Sequence, residues 1–344
     1  MTQRLDERGY SVAVVGATGA VGRQMLATLG RHDFPVKHLR AMASPRSAGA
    51  SIDWRGHAIT VESLEEASFE GVDFALFSAG GSISEAHAPR AARAGAVVID
   101  NTSAFRMTDG VPLVVPEVNP HAIAEHSGII ANPNCSTIQM VAALKPLHDA
   151  AGLKRVVVST YQSASGAGQQ GIDELMADVR HYLDPEQPAP DRKKFAHPLA
   201  FEVLPHIDQF FEHGYTREEL KMVYETRKIM DLPELQVSAT CVRVPVVRAH
   251  SEAVTADFED ALSAARAREL LAAAPGVLVV DDPSNNQYPL ARHAENQEPT
   301  YVGRIRQDLD RPNTLHFWVV SDNLLKGAAL NAVQIAEHII ANPT

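Results

Sequence analysis

The sequence predicts an α/β protein, with an N-terminal doubly wound dinucleotide-binding (Rossmann-like) domain and a second mixed-sheet α+β domain. Three observations carry this expectation. An apolar run at residues 11–15 enters a glycine turn and then a helix-spaced segment. Strand-like and helix-like segments alternate from there to Cys135. Beyond Lys154 the pattern changes to long β-rich runs with helices between them. A chain of 344 residues, 45% hydrophobic and 21% charged, is long enough for two such cores.

The opening strand, Ser11-Val12-Ala13-Val14-Val15, runs into Gly16-Ala17-Thr18-Gly19-Ala20-Val21-Gly22 and a helix through Leu29. This order makes the phosphate-cradling start of a βαβ unit, because glycines let a pyrophosphate reach the backbone N–H groups of a helix N-terminus. The spacing is GxxGxxG rather than GxGxxG, so a glycine turn without a ligand is the competing reading. The next strand, residues 37–43, should end near a bound ribose. An acidic residue is usual there in NAD sites. This chain has Arg46 and Ser47 instead, which suit a 2′-phosphate and favour NADP, although Arg46 as a solvated loop residue stays open.

Residues 72–77 read as a strand, followed by a helix through Arg93 and a strand at 97–100. The polar loop 101–106 ends in Arg106, either an anion ligand at a strand's carboxyl end or a surface arginine. A strand at 128–131 leads into Asn132-Pro133-Asn134-Cys135-Ser136-Thr137, and an apolar helix follows to Leu147. Pro133 should end the strand, with Asn134 or Ser136 as helix cap. Cys135 would then sit at the positive end of a helix dipole. A free cysteine is only about 3% thiolate at neutral pH, and a helix N-terminus with a nearby imidazole raises that fraction. A buried structural thiol is the alternative.

In the second half, residues 155–162 form a β-rich stretch ending at Gln162, before Ser163-Ala164-Ser165-Gly166. A helix at 172–183, a proline- and charge-rich excursion at 184–205 and a helix at 216–230 follow. Glu218 and Lys221 lie three apart on one face of that helix, the spacing of an ordinary surface pair. Residues 236–258 read as strongly β and carry Arg243, His250 and an inert, packed Cys241. A lone strand histidine is more often structural, but with a nucleophilic cysteine elsewhere it is the base to seek. A helix at 261–273, strands at 277–280, 301–306 and 315–320 and an apolar helix through Ile339 complete the chain.

A net charge of −11 with no lysine-arginine cluster argues against nucleic-acid and anionic-membrane surfaces. Two cysteines exclude a disulfide scaffold and suit a reducing, cytoplasmic compartment. The polar first ten residues hold no secretory segment, no run is apolar enough to span a membrane, and no metal is expected.

The stretches VAVVGATGAVG, ASPRSAG, DNTSAFRM, NPNCST, STYQSASGAG, EELKM, RVPVVRAHSEAV and SDNLLKGAALNAVQ, in this order, resemble the aspartate-β-semialdehyde dehydrogenase family over almost the whole chain. The resemblance implies an NADP-binding domain from residues 1–134 with 322–344, and a catalytic and dimerisation domain from 135–321. It implies reversible, NADP-linked reductive dephosphorylation of β-aspartyl phosphate by a homodimer. Carried over by position, Cys135 is the thioester-forming nucleophile and His250 the acid/base. Gln162, Arg243 and Glu218 contact substrate, and Arg106, Lys221 and Asn134 bind phosphate. Gly16, Thr18, Gly19, Ala20, Val21, Gly22, Arg46, Ser47, Ser165, Gly166 and Asn323 hold the cofactor. An N-acetylglutamyl-phosphate reductase, which usually carries glycine before its cysteine, and a non-catalytic or regulatory relative are the competing readings.

Overall fold

The computed structural model describes residues 9–342, so the polar leader read as non-secretory lies outside the described residues except for its last two positions. Two compact units appear: described residues up to Asn134 together with those from Ala328 onward, and Cys135–Gly327.

The first unit is built on β1 (Tyr10–Val15), α1 (Ala20–Arg31), β2 (Val36–Ala43), β3 (Ser51–Trp54), β4 (His57–Ser63), β5 (Phe74–Phe77), α2 (Gly81–Arg93), β6 (Val97–Asp100) and β7 (Ile129–Ala131). These strands make a seven-stranded sheet in the order β3-β4-β2-β1-β5-β6-β7. Every pairing is parallel except β3 with β4. The alternation in the sequence therefore yields the expected doubly wound sheet, with one antiparallel hairpin, β3–β4, that the pattern did not announce. β5 is apolar throughout and β1 from Val12 onward, as burial on both faces requires. Strand order reverses at β1, where β2 lies on one side and β5 on the other, and this places the ligand crevice at the carboxyl end of β1. The C-terminal helix, Leu330–Ala341, packs on α1, adds Val333, Ile335 and Ala336 to the same apolar core and is pinned by His32 Nδ1 at 3.0 Å from Glu337 Oε1.

The second unit comprises α3 (Cys135–Ala151), β8 (Leu153–Gln162), α4 (Gln169–Leu183), α5 (Arg217–Met230), β9 (Gln236–Arg243), β10 (His250–Phe258), α6 (Ala264–Ala273), β11 (Val277–Val279), α7 (Ala291–Ala294), β12 (Thr300–Gln307) and β13 (Thr314–Ser321). Its six-stranded sheet runs β11-β12-β13-β10-β8-β9 and is mixed, with β8/β9 and β11/β12 parallel and the rest antiparallel. The single β stretch expected over 236–258 is two strands. Pro245 cannot donate to a ladder, and the chain breaks after Arg243 and resumes at His250. Helix α3, buried on nearly all sides from Ser136 to Leu144, lies on one face of this sheet against β8, β10, β12 and β13. Among the described residues no helix is long and apolar enough to cross a membrane.

Candidate active site

Helix α3 begins at Cys135 itself, which leaves Asn134 in the capping position and puts Ser136 inside the first turn, not at the cap. Cys135 is partly exposed, and the N–H groups of that turn give it a positive environment. Gly327 passes so close that a Cβ there would lie 2.7 Å from the Cys135 Cβ.

Three strand ends meet in one transverse row of the second sheet. Arg243, last in β9, pairs in register with Gln162, last in β8. Ser251 pairs with Tyr161, which sets His250, first in β10, beside Gln162. On the far side His250 pairs with Ser321 of β13. Directly paired residues share a face, and Arg243, Gln162 and His250 are buried on the same one. A strand alternation thus converts four distant sequence positions into one line of polar groups.

Each member of the row is held. Arg243 Nη1 donates to the Ser163 carbonyl at 2.6 Å, and its guanidinium lies 5.9 Å from the Phe195 ring centre. The excursion at 184–205 supplies that ring, and its Leu204 exchanges backbone hydrogen bonds of 2.9 and 2.8 Å with Arg243. Glu174 of α4 anchors the excursion by accepting the N–H groups of Lys193, Lys194 and Phe195. Burial pulls the Arg243 guanidinium below its usual value, opposed by the nearby Glu218 and Cys135. Glu218 is almost fully buried, accepting from Gln162 Nε2 at 3.1 Å and from Lys221 Nζ at 3.0 Å. Lys221 also donates to Asp208 at 3.2 Å. A capping box formed by Thr216 and Glu219 fixes this first turn of α5. The Glu218–Lys221 pair is therefore more than a surface pair, since one end reaches the buried row.

His250 has no exposed surface, and burial followed by the Arg243 charge lowers its pKa to about 3. The Ser163 N–H donates to its Nδ1 at 3.0 Å, and Ser163 Oγ lies at the same distance. A backbone N–H can only donate, so the neutral ring carries its proton on Nε2. That atom has no hydrogen-bond partner, and a Cβ on Gly166 would stand 3.2 Å from it. Asn323 Oδ1 accepts from Ala249 N–H and Ser165 Oγ, both at 3.0 Å, and holds Ala249 at φ 72° just before His250. Ser163 was not singled out by sequence: its backbone contacts leave no side-chain pattern. Cys241 is fully buried in the row beneath, and burial raises its thiol far above the ordinary range.

The remaining candidates belong to the first unit. Gly16 turns at φ 89°, and a Cβ on Gly22 would lie 2.1 Å from the Gly16 carbonyl oxygen, so α1 starts as close to β1 as glycine permits. Gly19 caps α1 without a side-chain hydrogen bond, leaving the first-turn N–H groups of Ala20, Val21 and Gly22 aimed out of the helix beside Thr18. This bare cradle fits a pyrophosphate. Arg46 and Ser47 occupy a short 3₁₀ turn, Pro45–Ser47, at the carboxyl end of β2, with the Arg46 side chain exposed. Arg106 is buried, and its Nη2 donates to the Asn101 carbonyl at 2.9 Å.

These features define a two-unit α/β protein with a dinucleotide-binding type of fold in one unit and a partly exposed thiol in the other. Residues 11–126 match the family model described as semialdehyde dehydrogenase, NAD binding domain, and residues 144–326 match semialdehyde dehydrogenase, dimerisation domain. The aspartate-semialdehyde dehydrogenase of Bacillus subtilis is 53% identical over 340 residues, covering 96% of this chain and 98% of its own. A crystal structure of aspartate semialdehyde dehydrogenase II from Vibrio cholerae, complexed with ASA, superposes with a TM-score of 0.95 at 46% identity, covering 98% of this chain and all of that one. The Candida albicans enzyme solved with NADP gives 0.74 at 25% identity, covering 97% and 99%. The chain belongs to the aspartate-semialdehyde dehydrogenase family.

Proposed function

We propose that the protein catalyses NADP-dependent reductive dephosphorylation of L-aspartyl-4-phosphate to L-aspartate-4-semialdehyde and phosphate, reversibly, through a thioester on Cys135. The observation that carries this reading is the row Arg243–Gln162–His250 on the sheet that α3 and Cys135 cover. That its relatives are aspartate-semialdehyde dehydrogenases supports the same reaction.

In this reading the Cys135 thiolate attacks the acyl carbon; the C–S bond forms and the C–O bond to phosphate breaks, its electron pair leaving with phosphate. Arg106, Asn134 and Lys221 offset the charge of that group. Arg243 grips the substrate carboxylate, Gln162 orients the acyl group, and Glu218 fixes the Gln162 amide from behind. When bound, NADPH supplies the hydride that reduces the thioester carbon. The thiohemiacetal then collapses, the C–S bond breaks, and His250 returns to the departing sulfur the proton it took from the Cys135 thiol when the thiolate formed. Ser163 bears on both ring states: its N–H donates to Nδ1 of the neutral imidazole and opposes a proton there, and its Oγ, at the same distance, is the acceptor that offsets this in the charged ring.

The dinucleotide is assigned to Gly16, Thr18, Gly19, Ala20, Val21, Gly22, Arg46, Ser47, Ser165, Gly166 and Asn323, with Arg46 giving preference for the 2′-phosphate. The activity fits a cytoplasmic homodimer of an amino-acid biosynthetic route, the one leading to diaminopimelate, lysine, threonine and methionine, with residues 1–134 and 322–344 binding NADP and 135–321 serving catalysis and dimerisation. NADPH oxidation with aspartyl phosphate and N-acetylglutamyl phosphate side by side tests the reading: turnover of the first alone is expected, and preference for the second overturns it.

A further inference from the structure

Directly beneath the reactive row lies a second row on the same sheet face, Cys241, Thr160, Glu252 and Val319, paired in register. Glu252 has no exposed surface, and the polar group set against its carboxyl is the Gln139 amide of α3, itself 1% exposed. None of the four side-chain polar atoms of Glu252 and Gln139 makes a hydrogen bond of good geometry, although the Gln139 amide is close enough to favour the ionised carboxyl against burial. Four buried polar atoms without well-formed hydrogen bonds in one layer are rare, because each forfeits its bonds to bulk water. They are also mutually complementary. A protonated carboxyl has one donor and one acceptor, as does one edge of a primary amide. The terminal torsions of Glu and Gln are broad, so both groups can turn in plane at little cost. A carboxylate, by contrast, would leave the Gln139 oxygen without a donor and a charge without a counterion.

Gln139 follows Cys135 by four residues, one turn down the same face of α3. Glu252 follows His250 by two, on the same face of β10. The two side chains therefore connect the helix that carries the sulfur to the strand that carries the imidazole, one step behind both.

We infer that Glu252 is a protonated carboxylic acid locked to Gln139 in a two-hydrogen-bond acid–amide ring, O–H to the Gln139 oxygen and Gln139 N–H to the Glu252 carbonyl, and that this ring is a positioning pair for Cys135 and His250. Burial raises the Glu252 pKa well above the usual carboxylate range, in keeping with the neutral form. The positioning role rests on the thioester reading above; the protonation state does not.

The full-length enzyme at pH 8 tests both parts. Infrared difference spectra between wild type and Glu252→Gln should show a carboxylic-acid carbonyl band lost in the variant, and no such band overturns the proposal whatever the enzyme turns over. Glu252→Gln keeps a two-bond amide ring, so it should leave the pH profile of Cys135 alkylation unmoved and kcat within about threefold. A shift of that profile would mean a carboxylate had been coupled to the sulfur, and the proposal fails. Glu252→Leu should lower kcat at least about tenfold with NADPH affinity unchanged, a loss of one or two hydrogen bonds' worth of positioning. A folded Glu252→Leu enzyme with wild-type kcat and alkylation rate removes the positioning role. If Glu252→Leu does not fold, Gln139→Leu replaces it, with the same expected and contradicting results.

Discussion

The backbone N–H of Ser163 donates to His250 Nδ1 at 3.0 Å while the carbonyl of the same residue accepts from Arg243 Nη1 at 2.6 Å. One residue at the end of β8 therefore sets both the tautomer of the imidazole and the aim of the guanidinium. Its hydroxyl is the only part that mutation can remove without moving the chain. Ser163→Ala should lower kcat by about tenfold, the worth of one hydrogen bond to a charged ring, with KM little changed. His250→Asn should cost about two to four powers of ten in kcat. Steady-state kinetics check both, and equal losses in the two variants would mean that the hydroxyl acts on more than the ring.

Buried neutral His250 also makes the fold acid-sensitive. Its folded pKa, about 3, lies below the unfolded value of about 6.5, so between these values the unfolded chain binds the extra proton. Its contribution is complete above pH ~6.5 and falls away toward pH ~3, by up to roughly 5 kcal/mol. Glu252, with its raised pKa, bends the curve the other way, favouring the fold at low pH and losing that contribution as pH rises. Denaturant unfolding of wild type against His250→Asn across pH 3.5–7 cancels the Glu252 part. The variant should show the shallower acid slope.

The two cysteines should differ sharply in reactivity. Cys135 is partly exposed at a helix N-terminus, and Cys241 is sealed at 0% exposure with its thiol held protonated by burial. Iodoacetamide at neutral pH should modify Cys135 at least about a hundredfold faster, as thiolate fraction and access both dictate. Peptide mapping over time reads the two rates, and comparable rates contradict the placement of the nucleophile.

Arg46 stands exposed at the end of β2, where NAD sites carry an acid. Arg46→Ala should weaken NADP(H) binding about tenfold or more and NAD(H) binding hardly at all, since in the proposed assignment only a 2′-phosphate would meet the guanidinium. Fluorescence titration with both cofactors decides it.

Much of this fold is written in local patterns. The run from Ser11 to Gly22 combines a strand period, a glycine turn and a helix period, and these survive folding unchanged. The hairpin β3–β4 escaped because Ser51–Trp54 and His57–Ser63 are partly solvated and carry polar residues, although Arg55 and Gly56 at φ 53° and 77° form the two-residue turn that favours such hairpins. The break between β9 and β10 had one sequence signal, Pro245, among residues of high β propensity. The residue types of the site were legible because thiol, imidazole and guanidinium name their chemistry. The roles of Ser163 and the Glu252–Gln139 pair were not, because they arise from register between strands far apart in sequence.

Acyl transfer to Cys135 is the step on which the mechanism stands. Enzyme mixed with aspartyl phosphate without NADPH, acid-quenched and mapped by peptide mass, should carry an aspartyl adduct on the Cys135 peptide, released by hydroxylamine and absent in Cys135→Ala. Turnover by Cys135→Ala, or an adduct found only on another residue, would contradict it.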